Sequence, residues 1–467
     1  MAGAKPVLVS VVIPAYRQAD FLAETLRSVL TQTHTHFEAI VVDDASPDQT
    51  RAIVEQCTDP RVRYIRHDTN VGLPASRNTG ILASRGDLVA FLDADDLFLP
   101  DKLAAHVAFF VAHPDVGATY NARFELNHSA ESIREIWRPP PTVGLNDLVG
   151  GFPFAPSDMV VTRDWLLRVG LFDVRMGSAE DTDLPCRLAL AGCRFAGIDR
   201  VLNSRRYHSG RGRKNLAARL DDVARALETV FADPRCPAEV RAAGDTALTH
   251  HLMVVASLAL AQRETPLART FLERIAGTDP AVLEGSPCEL VSFLMMESVA
   301  DDSLDHERVL QDMFAGLPES MAVLTSQREW AIGRGYLWRG LRAALWDRVP
   351  EAQMHMRRAV EYRAAIDRTF VDFLTSHLLN HEHVFGEQAA VAALQRVTSC
   401  LRTVGGRRVA GRIEGAYLVN RAFERYHRGE LAGVPGLVVR AIAKDPRHAA
   451  NRGVTSILLR SVVRTKR

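Results

Sequence analysis

The sequence predicts an α/β domain with a mostly parallel sheet, followed by an all-α helical domain. Three observations carry this. Short β-branched apolar runs alternate with helical stripes through the first part of the chain, the order that builds parallel sheets. Beyond residue 215 the text becomes rich in Ala, Leu and Arg, with helical spacing and few strand-like runs. The polar stretch His208-Ser209-Gly210-Arg211-Gly212-Arg213 falls at that change. The expected domains are therefore 1–215 and 216–467.

The run Val7 to Ile13 is apolar, and Pro14 stops it, so it reads as a buried strand. One Lys precedes it and its flanks do not suit a secretory signal. Phe21 to Leu30 carries Leu22, Leu26, Val29 and Leu30 on one helical stripe. Ala39 to Val42 is a second buried strand. Ser46-Pro47-Asp48-Gln49 reads as a helix start, with Ser46 as N-cap and Gln49 closing a capping box. Val62 to Ile65 is a third strand. Leu73 to Ser84 is a helix, with Gly86 near its C-cap. Leu88 to Leu92 is apolar throughout and reads as a central strand, and Pro100 opens a helix running to Val111.

Composition narrows the function. Fifty-seven basic residues stand against 56 acidic ones, a net charge of +1, which excludes the basic excess of a nucleic-acid binder. The six cysteines are scattered and form no Cys-x-x-Cys pair, which suits a reducing, cytoplasmic setting. No stretch approaches the ~18 apolar residues of a membrane helix.

Acidic residues fall where strands end. Asp43 and Asp44 follow the second strand; Asp93, Asp95 and Asp96 follow the fourth. Parallel sheets bind ligands beyond the carboxyl ends of their strands. Carboxylates gathered there repel one another, and a hard divalent cation with oxygen ligands relieves this.

These residues stand in a wider pattern. "VSVVIPAYRQADFLAETLRSVLTQT", "FEAIVVDDASPDQT", "NVGLPASRNTGILASRGDLVAFLDADDLFLPDKL" and "GSAEDTDLPCRLALAGCRF" occur in this order. Over about residues 7–210 the chain resembles family 2 of the inverting nucleotide-sugar glycosyltransferases, which have the GT-A (Rossmann-like) fold. The resemblance implies transfer of one sugar from a nucleotide-diphosphate sugar, a UDP-sugar foremost, to a hydroxyl acceptor, with Mn²⁺ or Mg²⁺ as cofactor.

It also implies roles. Pro14 and Tyr16 lie on the loop that packs against the base, and Asp44 accepts the base's imino N–H. Arg77 belongs to the donor-side segment and meets a phosphate or a neighbouring carboxylate. Asp93 and Asp95 contact the donor, and Asp95 and Asp96 hold the metal, with His208 as a further metal or phosphate ligand. Asp181, beside Glu180, is the expected catalytic base. By the residues alone, the acids 180, 181 and 183 equally suit a helix N-terminus. The text departs from the family's usual one at Arg17, where Asn is frequent, at Ala45, where Gly is frequent, and at Pro185.

The helical half contains three similar pieces, in which Ala268, Ala352 and Val434 precede Ile275, Ala359 and Ala441 by two turns. They resemble tetratricopeptide-type helix pairs or a generic helical bundle. Trp330, Tyr336, Trp338 and Trp346 read as core. This half is a candidate surface for a protein partner or self-association. Two other readings compete. Nucleotidyl transfer would need a Gly-rich loop near the first strand, which is lacking. A degenerate nucleotide-sugar-binding protein whose helical half recruits partners would not need the full set of Asp44, Asp95, Asp96 and Asp181.

Overall fold

The computed structural model describes residues 6–127, 133–151, 153–207 and 216–465. His208, Arg211 and Arg213 lie outside the described residues. The chain divides into two compact units, Met1–Glu284 with Gly316–Glu319, and Gly285–Ala315 with Ser320–Arg467.

In the first unit the elements run β1 (Val9–Ala15), α1 (Ala19–Leu30), β2 (Phe37–Asp43), α2 (Thr50–Glu55), β3 (Val62–Arg66), α3 (Leu73–Ala83), β4 (Leu88–Phe91), β5 (Leu97–Phe98), α4 (Lys102–Ala112), β6 (Ala118–Leu126) and β7 (Ile133–Trp137). There follow α5 (Leu145–Gly150), β8 (Val160–Thr162), α6 (Arg163–Arg168), α7 (Glu180–Leu190) and β9 (Phe195–Arg206). Four helices complete it: α8 (Leu216–Ala232), α9 (Ala238–Ala242), α10 (Gly244–Ala261) and α11 (Thr265–Thr278).

The strands form one sheet in the order β3-β2-β1-β4-β8-β6-β9-β5, with β7 beside β6. β3, β2, β1 and β4 pair in parallel, as the alternating pattern requires. Beyond β4 the sheet becomes mixed: β8 is antiparallel to β4 and β6, while β6 and β9 are parallel. The three-residue β8 lies in a stretch with no apolar run long enough to announce a strand.

β1 and β2 are buried along their whole length, which explains their mainly apolar text; the exceptions Ser10 and Glu38 bond each other. Gly80 lets α3 lie close on β1, because a Cβ there would stand 2.4 Å from a methyl of Val12. Two helix boundaries differ from expectation. Ser46 is not an N-cap; α2 begins at Thr50, and it is the Asp48 carboxylate that accepts the Thr50 N–H and hydroxyl. Gly86 does not cap α3, which ends at Ala83 with Ser84 as its C-cap; the Gly86 N–H donates to Ser10 Oγ.

The change of composition at 215 is a change from sheet to helix, but the compact unit runs on to Glu284. The reason is apolar burial. Val223, Leu227, Val230, Val240 and Ala247 share a core with Leu148, Val149, Leu184, Phe91 and Tyr120. Each fully buried side chain of this size contributes about 1.5–3 kcal/mol, so α8–α10 are held firmly to the sheet domain.

The second unit is helical throughout. It comprises α12 (Glu289–Ser298), α13 (His306–Gly316), α14 (Arg328–Leu345), α15 (Val349–Glu361), α16 (Arg368–Phe385), α17 (Glu387–His427), α18 (Val434–Lys444) and α19 (Arg452–Thr465). Gly406, with φ 70°, breaks α17 into two segments. The three similar pieces are helix–turn–helix pairs: α10/α11, α14/α15 and α17/α18. Each second helix has proline in its first turn, and all six spaced residues are fully buried. Tyr336 and Trp338 are buried and Trp330 and Trp346 half-buried. No described helix is long and apolar enough to cross a membrane.

Candidate functional site

A cavity of about 360 Å³ opens at the carboxyl ends of the central strands. Nearly all the expected site residues meet in it. Pro14, Tyr16 and Asp44 line one part, Arg77, Asp93 and Asp95 another, and Glu180 and Asp181 a third.

Two residues with positive φ shape the strand ends. Arg17 after β1 and Ala45 after β2 both have φ 56°. Asn and Gly adopt that left-handed conformation most readily. The two departures from the family's text thus fall on backbone positions that suit the family's residues better than this chain's.

The β2 end is filled by the protein's own donors. Asp43 Oδ2 accepts from the Tyr64 hydroxyl at 2.5 Å and from Arg66 at 2.6 Å, and its Oδ1 accepts from Ser46 N–H. Asp44 Oδ1 meets His67 Nδ1 at 2.8 Å and Val71 N–H at 2.9 Å, and its Oδ2 accepts from Gly72 N–H at 2.8 Å. Gly72 has φ 93°, which points these two consecutive amides at one carboxylate as α3 begins. A carboxylate has about four lone-pair sites, so Asp44 keeps capacity for one further donor.

The β4 end is different. Asp93, Asp95 and Asp96 each present a carboxylate oxygen within 4.8 Å of the others. Asp93 and Asp95 line the cavity. Asp96 is fully buried; its carboxylate accepts from Ser157 Oγ at 2.7 Å and from Arg206 N–H at 3.2 Å. Ser157 also accepts the Asp93 N–H, so it ties the two ends of the acidic turn together. Its own turn, Pro156–Asp158, is anchored by Asp158, which accepts from Arg123, Asn203 and Ala155 N–H. Such an all-oxygen donor set suits a hard divalent cation.

Arg77 joins the metal-side and acceptor-side acids. It is 1% exposed, and its two terminal nitrogens bond Asp93 Oδ1 at 2.8 Å and Glu180 Oε1 at 2.7 Å. Both are carboxylates, one of the two kinds of partner expected for it, and Arg77 also lines the cavity. Glu180 and Asp181 open α7 as its first-turn acids. Burial pushes both carboxyls above the ordinary range; Arg77 opposes this at each, and Arg219 and Arg205 at Asp181. Asp181 Oδ1 is buried with no hydrogen-bond partner among the described residues. Pro185 has no N–H to give the Asp181 carbonyl, which leaves that end of α7 less regular.

Sequence reasoning did not find His67, Ser157, Asp158, Arg205 or Arg219. His67, Ser157 and Asp158 act through neighbours rather than in a motif. Arg219 sits on α8, past the change of composition, where nothing in the text announces a site.

Residues 10–168 match the family model "Glycosyl transferase family 2". A Haemophilus influenzae protein named as an uncharacterized glycosyltransferase is 30% identical over 189 residues, covering 39% of this chain and 62% of that protein. One from Rickettsia felis, named likewise, is 43% identical over 204 residues, covering 43% of this chain and 33% of that one. The chain thus spans under two thirds of either relative. A solved structure of S. aureus TarS 1-349 in complex with UDP-GlcNAc shares 19% identity at a TM-score of 0.43, covering 76% of this chain and 91% of that one.

Proposed function

We propose, from the premise that the chain carries a glycosyl transferase family 2 domain, that it moves one sugar from a nucleotide-diphosphate sugar to a hydroxyl acceptor with inversion at the anomeric carbon. The observation that carries this reading is Asp181: a buried carboxylate oxygen with no hydrogen-bond partner among the described residues, in the same cavity as Asp93 and Asp95 of the acidic turn.

In this reading the base lies against Pro14 and Tyr16, and Asp44 accepts its imino N–H with the acceptor capacity left to it. Uracil suits that contact, and a UDP-sugar is the donor we favour. The acceptor hydroxyl gives its proton to Asp181. Its oxygen then bonds to the anomeric carbon as the carbon–oxygen bond to the diphosphate breaks, and the nucleoside diphosphate leaves. Glu180 stays paired with Arg77, which holds α7 against the donor side and leaves Asp181 as the proton acceptor. Asp93 and Asp95 would hold a divalent cation, with Asp96 fixing their turn from behind. Mn²⁺ or Mg²⁺ bound there supplies positive charge to the leaving diphosphate.

Calorimetry with UDP, GDP, dTDP and CDP, each with Mn²⁺ or with chelator, tests the donor side. We expect one diphosphate to bind, with affinity about tenfold or more weaker under chelation. Equal affinity without metal would remove the cation from the reading.

A further inference from the structure

Two cations in the cavity are not explained by donor binding. Arg205, at the end of β9, and Arg219, on α8, line the same cavity as Glu180 and Asp181. Arg219 lies beyond the 10–168 match and on a helix held to the sheet domain by its buried neighbours Leu216, Leu220 and Val223. It has no hydrogen-bond or ion-pair partner among the described residues, and it shares the cavity lining with Asp181, whose carboxylate it favours electrostatically. Arg205 pairs with Glu125 at 3.8 Å and lines the cavity beside Arg219.

We propose that Arg205 and Arg219 bind an anionic group on the acceptor, a phosphate or a carboxylate near the hydroxyl that is glycosylated. The proposal rests on the reading of the cavity as a glycosyltransferase site.

The argument is one of charge placement. Arg77 is already consumed by Asp93 and Glu180, and the acidic turn is the side suited to a cation and hence to the diphosphate. Two guanidinium groups at the Asp181 side would serve a neutral hydroxyl acceptor poorly, because they draw the proton affinity of the base down. An anion arriving with the acceptor offsets them. It also gains charge-assisted, fork-like hydrogen bonds from the two guanidinium groups. Gly177 and Ser178, also in the lining, leave room beside them; the Ser178 N–H is turned away to Asp222 on α8, which locks that helix to the cavity wall.

The test uses the full chain loaded with the tightest-binding nucleoside diphosphate and Mn²⁺, so that the donor side is occupied. Glycerol 1-phosphate and glucuronate are titrated by calorimetry against their neutral counterparts, glycerol and glucose. We expect one or both anions to bind about tenfold or more tighter than the neutral compounds. Which of the two binds tells phosphate from carboxylate. R219Q and R205Q should bring the anion down to the neutral level, and R219K should restore part of the difference. Thermal unfolding of each variant confirms that it is folded, and R219K keeps the test decisive if R219Q is not. Equal binding of anions and neutral compounds overturns the proposal. So does a loss of nucleotide affinity in R219Q matching the loss of anion affinity, which would assign the arginines to the diphosphate. If no nucleoside diphosphate binds the wild-type protein, the glycosyltransferase reading itself has failed, and the two failures are told apart.

Discussion

Asp43 and Asp44 end β2, and Asp93, Asp95 and Asp96 follow β4, two strands away in the same sheet. In sequence the two groups look alike. In space the first is divided among separate donors: a phenol, a guanidinium, an imidazole and three backbone amides. The second gathers its carboxylates within 4.8 Å; Arg77 bonds Asp93 and Glu180, Arg206 bonds the Asp95 carbonyl, and Ser157 holds Asp96. An acid at a strand end is therefore not a site by position. What separates the two groups is whether the carboxylates are spread over separate donors or gathered around one point.

Asp181 is the sharpest case of an acid the fold does not fill, and it carries the largest expected effect. Asp181→Asn should lower turnover by ~10²–10⁴-fold, the usual range for general-base catalysis, while donor affinity stays close to wild type. Glu180→Gln should lose less, because Glu180 is held by Arg77. Burial keeps both carboxyls above the ordinary carboxylate range. The base must be deprotonated, so turnover should rise with pH through the raised range and fall away below it. A rate flat from about pH 5 upward, where an unperturbed carboxylate is already ionised, would contradict that. If Glu180→Gln is inactive and Asp181→Asn is not, the roles are exchanged.

Next in size is the cation that joins the two acidic sides. Arg77→Leu leaves Asp93 and Glu180 without their buried partner, which should destabilise the first unit by about 3–5 kcal/mol. Arg66→Ala removes one of several partners of Asp43, and Arg66 is 39% exposed, so the loss of stability should be much smaller. Urea unfolding of both variants measures the contrast. Similar midpoints would mean that the two acid groups are supported alike.

Asp44 lies between the classes, filled by the fold yet lining the cavity. Its removal does more than empty a base pocket. Asp44→Ala strands the amides of Val71 and Gly72 and the ring of His67, at an expected cost of about 1.5–3 kcal/mol, and it should also weaken nucleotide binding. Asp44→Asn keeps the shape but can accept on one atom only, so it should be milder in stability and still impaired in binding. Unchanged nucleotide affinity in a folded Asp44→Asn would leave Asp44 a purely structural residue.

How much of this could be read in advance follows the same division. In the parallel core β1, β2 and β4 were plain, because strands buried on both faces are mainly apolar, and the partly buried β3 showed as the short run Val62 to Ile65. The acids were plain too, as was the sharing of a crevice by strand-end motifs. The mixed edge was not, since β8 has three residues and no periodicity to show. The partners of Asp44 and Asp96 were hidden because they are backbone amides and single polar side chains brought in by tertiary packing. The edge of the compact unit was hidden because α8–α10 carry ordinary helical text, and only the core shared with Leu148 and Leu184 ties them to the sheet.

The smallest effect tests whether the two acidic turns differ in their backbone as well as in their partners. The β2 turn contains Ala45 at φ 56°, whereas Ala94, between Asp93 and Asp95, is not among the residues of positive φ. A non-glycine residue in the left-handed region carries roughly 1 kcal/mol of strain. Replacing it by glycine relieves that strain but gives back about 0.4–1 kcal/mol through the freer unfolded chain. Ala45→Gly should therefore be neutral or slightly stabilising. Ala94→Gly relieves nothing, frees the unfolded chain equally and removes a Cβ that is 2% exposed, so it should destabilise by about 1 kcal/mol or more. Chemical denaturation of the two single variants reads the difference directly. Equal losses in both would show that Ala45 is not strained, and the departure from the family's glycine would need another cause.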